Sequence, residues 1–257
     1  MGQLLIITHA DCNPEIFGPI RFDSLIQKIT FSKVSENVLW CLEIPDPTLP
    51  STLKVTQFLI RDRSVKIYDD FLVQMKASVV DCQFSPNEEK LVFGCSDNSL
   101  VILDTTTKSV ERVSLSIRPS FFSWHPQNHL FVVSSRQGEM LLFDVGLCQL
   151  DWIPIRENAE TDKTSKFCLS SIFTQFSMLR NLTWTSNHQL LVNSHNKPLV
   201  VVNFPFGIYG QGALALVKEH VRKEKYQDAI KVLYSINWNI SPATAYSALT
   251  TIIATDY

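Results

Sequence analysis

The chain has 257 residues, 45% hydrophobic and 19% charged, with a formal net charge of −2. It carries enough apolar material for a folded core, and its charge balance excludes both a disordered chain and a nucleic-acid footprint. The apolar run at 4–7 is too short for a secretory leader or a membrane span. In chain order, QLLIIT (3–8) reads as a strand with no evident local partner, and 11–19 as a loop. Strands are expected over 26–31 and 37–44, with a turn at 33–36. The three prolines of PDPTLPST (45–52) forbid a strand and mark an insertion loop. Strands over 54–60 and 64–69 close this group.

The stretch VVDCQFSPNEEKLVFGCSDNSLVILD (79–104) organises the rest. Its first strand, 79–84, ends at Ser85 and Pro86, and a proline cannot donate to a ladder. Strands at 91–95 and 100–104 flank a tight turn at Asp97 and Asn98. The pattern then returns as PSFFSWHPQNHLFVVSSRQGEMLLFD. Phe84 maps to Trp124, Pro86 to Pro126, Asn98 to Gly138 and Asp104 to Asp144, each 40 residues on. A strand-rich period of ~40–45 residues is the mark of propeller blades. Outer strands are expected at 109–115 and 146–153. Val80, Cys82, Phe84, Phe122 and Trp124 should be buried near blade interfaces.

These two copies are similar to a WD40 repeat. They depart from it at Leu103 and Phe143, where the repeat usually has Trp, and in lacking the Gly-His pair ahead of the first strand. Residues 156–166 (RENAETDKTSK) form a polar surface insertion. The aromatic stretch that follows, with Phe167, Phe173 and Phe176, has no evident blade to fill. With Trp152 it is a candidate partner-binding patch. Trp184 then occupies the place of Trp124, 60 residues on, and strands at 190–193 and 199–203 form a further hairpin.

After Asn203 the hydrophobic period lengthens to that of a helix. Ala213, Leu214, Val217 and Val221 line one helical face, and Tyr226, Ala229, Ile230 and Leu233 a second. A third helix is expected from Pro242, capped by Ser241. The expected architecture is mainly β: a partial WD40-like propeller of about four blades over 1–206. A short helical hairpin over 207–257, the start of an α-solenoid, follows it. Tyr226, Tyr234 and Trp238 are the residues expected to dock this tail on a blade or a partner. The chain either closes as a small propeller, with QLLIIT as the outer strand of the last blade, or is a piece of a longer protein. The abrupt ends favour the piece.

No catalytic constellation stands out. Gly210-Gln211-Gly212-Ala213-Leu214-Ala215 fits G-x-G-x-x-A. However, Asp228, the candidate ribose acid, falls in a helical pattern and no βαβ unit surrounds the glycines. His125 and His129 flank Pro126 in a turn, where helical i,i+4 zinc geometry cannot form. The six cysteines show no C-x-x-C and read as small buried hydrophobes of a reducing compartment. No enzyme activity, cofactor or metal is expected.

A closer resemblance covers most of the chain. It is carried by CQFSPNEEKLVFGCSDNSLVILD, SWHPQNHLFVVSSRQGEMLLFD and the junction GQGALALVKEHVRKEKYQDAIKVLYSINWN. These resemble the Fritz family of WD repeat-containing planar cell polarity effectors. The resemblance implies a non-catalytic scaffold of the ciliogenesis and planar polarity effector complex, acting with Inturned, Fuzzy and septins. Recruitment of intraflagellar-transport cargo and septin and actin organisation in collective cell movement would follow. The implied location is the cytoplasm and cytoskeleton, at the ciliary base, the axoneme and the plasma-membrane periphery. The family's proteins are longer, so the chain reads as a truncated form. A vesicle-coat or intraflagellar-transport subunit shares the same propeller-then-solenoid plan and is the alternative.

Overall fold

The structure, a computed structural model, describes residues 2–8, 15–46, 48, 52–61, 64–126, 130–144, 146–147, 149–150, 167–169, 178–186, 189–195 and 199–203, and isolated positions from 221 to 254. These residues divide into two compact units, Met1–Val79 and Val80–Tyr257. The described fold is mainly β, in antiparallel sheets consistent with WD40-like blades.

The first unit opens with a hairpin. Strand β1 (Gly2–Thr8) pairs antiparallel with β2 (Glu15–Phe22). QLLIIT therefore has a local partner after all, and the stretch expected as a loop over 11–19 contains the start of β2. Four strands follow as a meander: β3 (Leu25–Phe31), β4 (Val38–Ile44), β5 (Thr52–Arg61) and β6 (Ser64–Gln74). Six successive residues of β4 are buried, as expected of a strand covered on both faces. Strand β6 alternates exposed and part-buried residues and forms the outer edge. Opposite β6, Gln57 faces Asp69 and Phe58 faces Ile67, which leaves Tyr68 as the extra residue of a bulge. The core joins Ile6 and Phe22 of the hairpin to Leu39, Cys41, Phe58 and Ile60. Phe22 meets Phe58 edge-on, with centroids 5.9 Å apart.

Among the described residues the second unit holds three sheets. The first runs β7 (Val79–Phe84), β8 (Lys90–Cys95), β9 (Ser99–Asp104) and β10 (Val110–Ser114). The second contains β11 (Phe121–Trp124), β12 (Leu130–Ser134), β13 (Glu139–Asp144) and β14 (Gln149–Leu150), and β15 (Phe167–Cys168) also pairs with β13. The third is β16 (Leu179–Ser186), β17 (Gln189–Ser194) and β18 (Val200–Asn203).

The forty-residue period is real at the level of atoms. Asn98 and Gly138 both turn the chain at positive φ, 59° and 82°. Their N–H groups donate to Cys95 and Ser135 carbonyls at 3.2 and 3.1 Å. A left-handed backbone suits Gly best and Asn next, which is why these residue types alternate there. Ser85 and His125 N–H groups likewise donate to Lys90 and Leu130 carbonyls, both at 2.8 Å. The shared core places Val92, Leu100 and Ile102 of one sheet against Phe122, Trp124 and Phe131 of the next.

Two expectations need correction. Val80 is 38% exposed, while Cys82, Phe122 and Trp124 are buried and Phe84 is part-buried. Val80 sits at the opening end of β7, ahead of Gln83, where the Trp124 indole arrives. The stretch from Phe167 does have a blade to fill. Glu139 and Met140 pair with Cys168 and Phe167, while Leu142 and Phe143 pair with Leu150 and Gln149. One outer strand is thus assembled from two short segments. No helical element is described. Val221, Tyr226, Ala229, Ser247, Thr250 and Ala254 have helical backbone. The remaining residues expected to form the tail helices, Leu214, Val217 and Leu233 among them, lie outside the described residues.

Candidate interaction surface

A platform for partners needs a stiff frame, and the second unit builds one from its tryptophans. The indole Nε1 of Trp124 donates to the Gln83 carbonyl at 3.4 Å. That of Trp184 donates to the Ser123 carbonyl at 3.1 Å. Gln83 and Ser123 occupy equivalent places, each just before the aromatic that ends the blade's first strand. The second and third sheets of this unit are therefore each pinned to the sheet before by the same bond. Trp184 adds a backbone N–H to Ser123 Oγ at 3.1 Å and stands edge-on to the buried His125 ring, 4.9 Å away. Reading these tryptophans as inter-blade core is borne out, and His125 is fully buried beside Trp184. His129 lies outside the described residues.

The turns are held by charge. Lys90 Nζ lies 2.9 Å from Asp104, whose carboxylate also accepts the Thr107 and Thr106 N–H groups at 2.8 and 2.9 Å. Burial pushes the Asp104 carboxyl up, but the Thr107 N–H, Lys90 and the Thr106 N–H outweigh it and bring it down to about 2. The Ser99 hydroxyl, 2.6 Å away, is the main cause holding Asp97 below its ordinary value, and Arg112 bridges to the same carboxylate at 3.3 Å. Burial, and after it the Glu43 charge, pushes the Cys41 thiol up to about 12. Burial also raises Cys95. Such thiols are poor nucleophiles. Among the described residues no group of His, Cys, Asp and Glu is placed to hold a metal. No described helix is long and apolar enough to cross a membrane.

Of the residues expected to meet a partner, Phe167 belongs to β15, opposite Met140. Tyr226 is 36% exposed. Trp152, Phe173, Phe176, Tyr234 and Trp238 lie outside the described residues, as does the Gly210–Ala215 glycine motif. Sequence reasoning missed a more evident apolar edge. On β6, Ile67, Tyr68 and Leu72 are all well exposed, Tyr68 most of all at 71%. The signal was the bulge, which breaks the alternation after Ile67 and hides the strand's continuation to Gln74. It also missed Glu43, a carboxylate inside the buried run VLWCLEI.

Comparison with known proteins follows the same blades. The family described as WD repeat-containing and planar cell polarity effector protein Fritz matches residues 64–256. The chain belongs to the Fritz family. A Fritz homolog of Xenopus laevis is 24% identical over 276 residues, covering 98% of this chain and 38% of the relative. The human homolog is 24% identical over 197 residues, covering 70% of this chain and 26% of its own length. The Drosophila melanogaster Fritz protein is 22% identical, over 65% of this chain and 20% of its own. The chain thus spans well under half the length of these Fritz proteins. The match takes in β6, all three sheets of the second unit and the expected helical tail.

Proposed function

We propose that the chain is a non-catalytic scaffold of the ciliogenesis and planar cell polarity effector complex. It binds Inturned and Fuzzy, supports cilium assembly and intraflagellar-transport cargo recruitment, and helps organise septins and actin in collective cell movement. Its place is the cytoplasm and cytoskeleton at the ciliary base and axoneme, with peripheral membrane association through partners. The observation that carries the reading is the family match over 64–256, which spans both complete repeats of the second unit. The tryptophan bonds between successive sheets support it physically, since a pinned frame presents its loops and edges with little ordering cost. The division into blades over 1–206 and a helical hairpin over 207–257, the start of an α-solenoid, belongs to the same proposal. Trp152, Phe167, Phe173, Phe176, Tyr226, Tyr234 and Trp238 are its partner-binding residues. Co-precipitation tests it. The tagged chain is expected to retain Inturned and Fuzzy together. Retention of vesicle-coat subunits in their place assigns the chain to that class instead.

A further inference from the structure

In the first unit a cleft of about 380 Å³ opens between the end of β2, the turn into β3 and the β4–β6 face. Its walls are apolar, with Phe22, Phe58, Pro45 and Ile67 among them. Its floor is Glu43, 6% exposed. The Ser24 hydroxyl donates to one carboxylate oxygen, and Thr56 Oγ1 donates to the other at 3.0 Å. Both donors are neutral. Lys54 faces Glu43 across the β4–β5 ladder, yet its ammonium is 3.0 Å from Asp70 on β6. Arg21 and Asp23 line the same cleft with one charge of each sign and cancel in sum.

A buried carboxylate is costly to hold unless a cation compensates it. Here two hydroxyls satisfy part of its hydrogen-bonding capacity, a carboxylate accepts about four bonds, and the nearby lysine is committed to another acid. We propose that this cleft binds an organic cation, an ammonium or guanidinium on an apolar stem, as a lysine or arginine side chain carries. The head group meets Glu43, and the stem lies along Phe22 and Phe58. Long basic side chains suit such a site because their methylenes pack while the charged end is paired. The inference is independent of the family reading and rests on the first unit's geometry.

The test titrates the full chain with three probes: blocked arginine amide, butylammonium, and blocked norleucine amide as the uncharged comparison. Backbone amide shifts of Phe22, Glu43 and Thr56 report binding by NMR. At least one cation is expected to bind saturably, and roughly ten-fold more tightly than norleucine, the scale of a hydrogen bond to a charged group. Glu43→Gln is expected to remove that preference and leave norleucine binding unchanged. Arginine amide bound more tightly than butylammonium identifies a guanidinium, as an arginine side chain carries, as the guest; the reverse order identifies an alkylammonium, the head group of a lysine side chain or a free amine. Equal affinity for cation and norleucine, an unchanged preference in Glu43→Gln, or no shift with any probe overturns the proposal. Where Glu43→Gln does not fold, the cation-to-norleucine ratio in the unsubstituted chain decides alone.

Discussion

Replacing the Trp184 indole by a phenyl ring keeps most of the buried apolar surface and removes one donor. Trp184→Phe leaves the Ser123 carbonyl without that bond and is expected to cost about 0.5–1.5 kcal/mol. Trp124→Phe is expected to cost less, since its bond is longer at 3.4 Å. Urea midpoints of the two variants give the order, and a reversed order removes the bonds from the account. Gly94→Ala acts in the opposite sense, by crowding. Its new Cβ would stand 2.6 Å from Phe122 Cζ and 2.8 Å from Pro119 Cβ, and relief by moving packed neighbours costs about 1–3 kcal/mol. Asp104 gives a pH signature. Its carboxyl titrates near 2 in the folded chain against an ordinary 3.8, so its contribution is fully present above 3.8 and is lost as pH falls towards about 2. Asp104→Asn should flatten that acid limb of the stability curve, which chemical denaturation at several pH values would reveal.

Elements were legible wherever two-residue alternation ran unbroken and failed where it was broken. The strand at 79–84 was placed correctly because VVDCQF is bounded by Ser85 and Pro86. Strand β6 was cut short at Asp69 because the Tyr68 bulge shifts every later side chain to the other face. Strand β2 was lost to Gly18 and Pro19, which look like loop residues but lie inside a paired strand. The split outer strand was invisible, because β14 and β15 hold two residues each, too few for any period. That split makes Leu169 informative. It is fully buried, and its N–H donates to the Gly138 carbonyl at 3.0 Å, tying β15 to the β12–β13 turn. Leu169→Ala should lower stability by about 2–5 kcal/mol, as buried Leu truncations do. A loss below half a kcal/mol, measured by calorimetry, would falsify the role given to β15.

At the scale of the whole chain, the repeat was the strongest signal in the sequence: four residue pairs fall at one spacing, and one of them, Asn98 and Gly138, also shares its turn geometry and hydrogen bond. The Glu43 cleft was not legible. Its lining comes from residues 20–24, 43, 45, 54, 56, 58 and 67, which no motif links. The helical tail rests on a periodicity whose residues mostly fall outside those described. Protection from hydrogen exchange should follow the sheet order. Amides of β8 and β12, central in their sheets, should exchange slowest. Those of β18, which among the described residues pairs with β17 alone, should exchange sooner. Uniform protection across all three sheets would mean the unit opens only as a whole.

The tryptophan bonds also have a direction. In both cases the later repeat gives the indole and the earlier one receives it. A ribosome delivers the earlier repeat first. At roughly 5–20 residues per second, the Gln83 carbonyl waits several seconds for Trp124 to emerge, and Ser123 waits longer for Trp184, across the twenty-residue insertion. Each nascent blade spends that interval with its inter-blade face open. A ribosome-associated chaperone would therefore find its longest window on the blade that awaits Trp184.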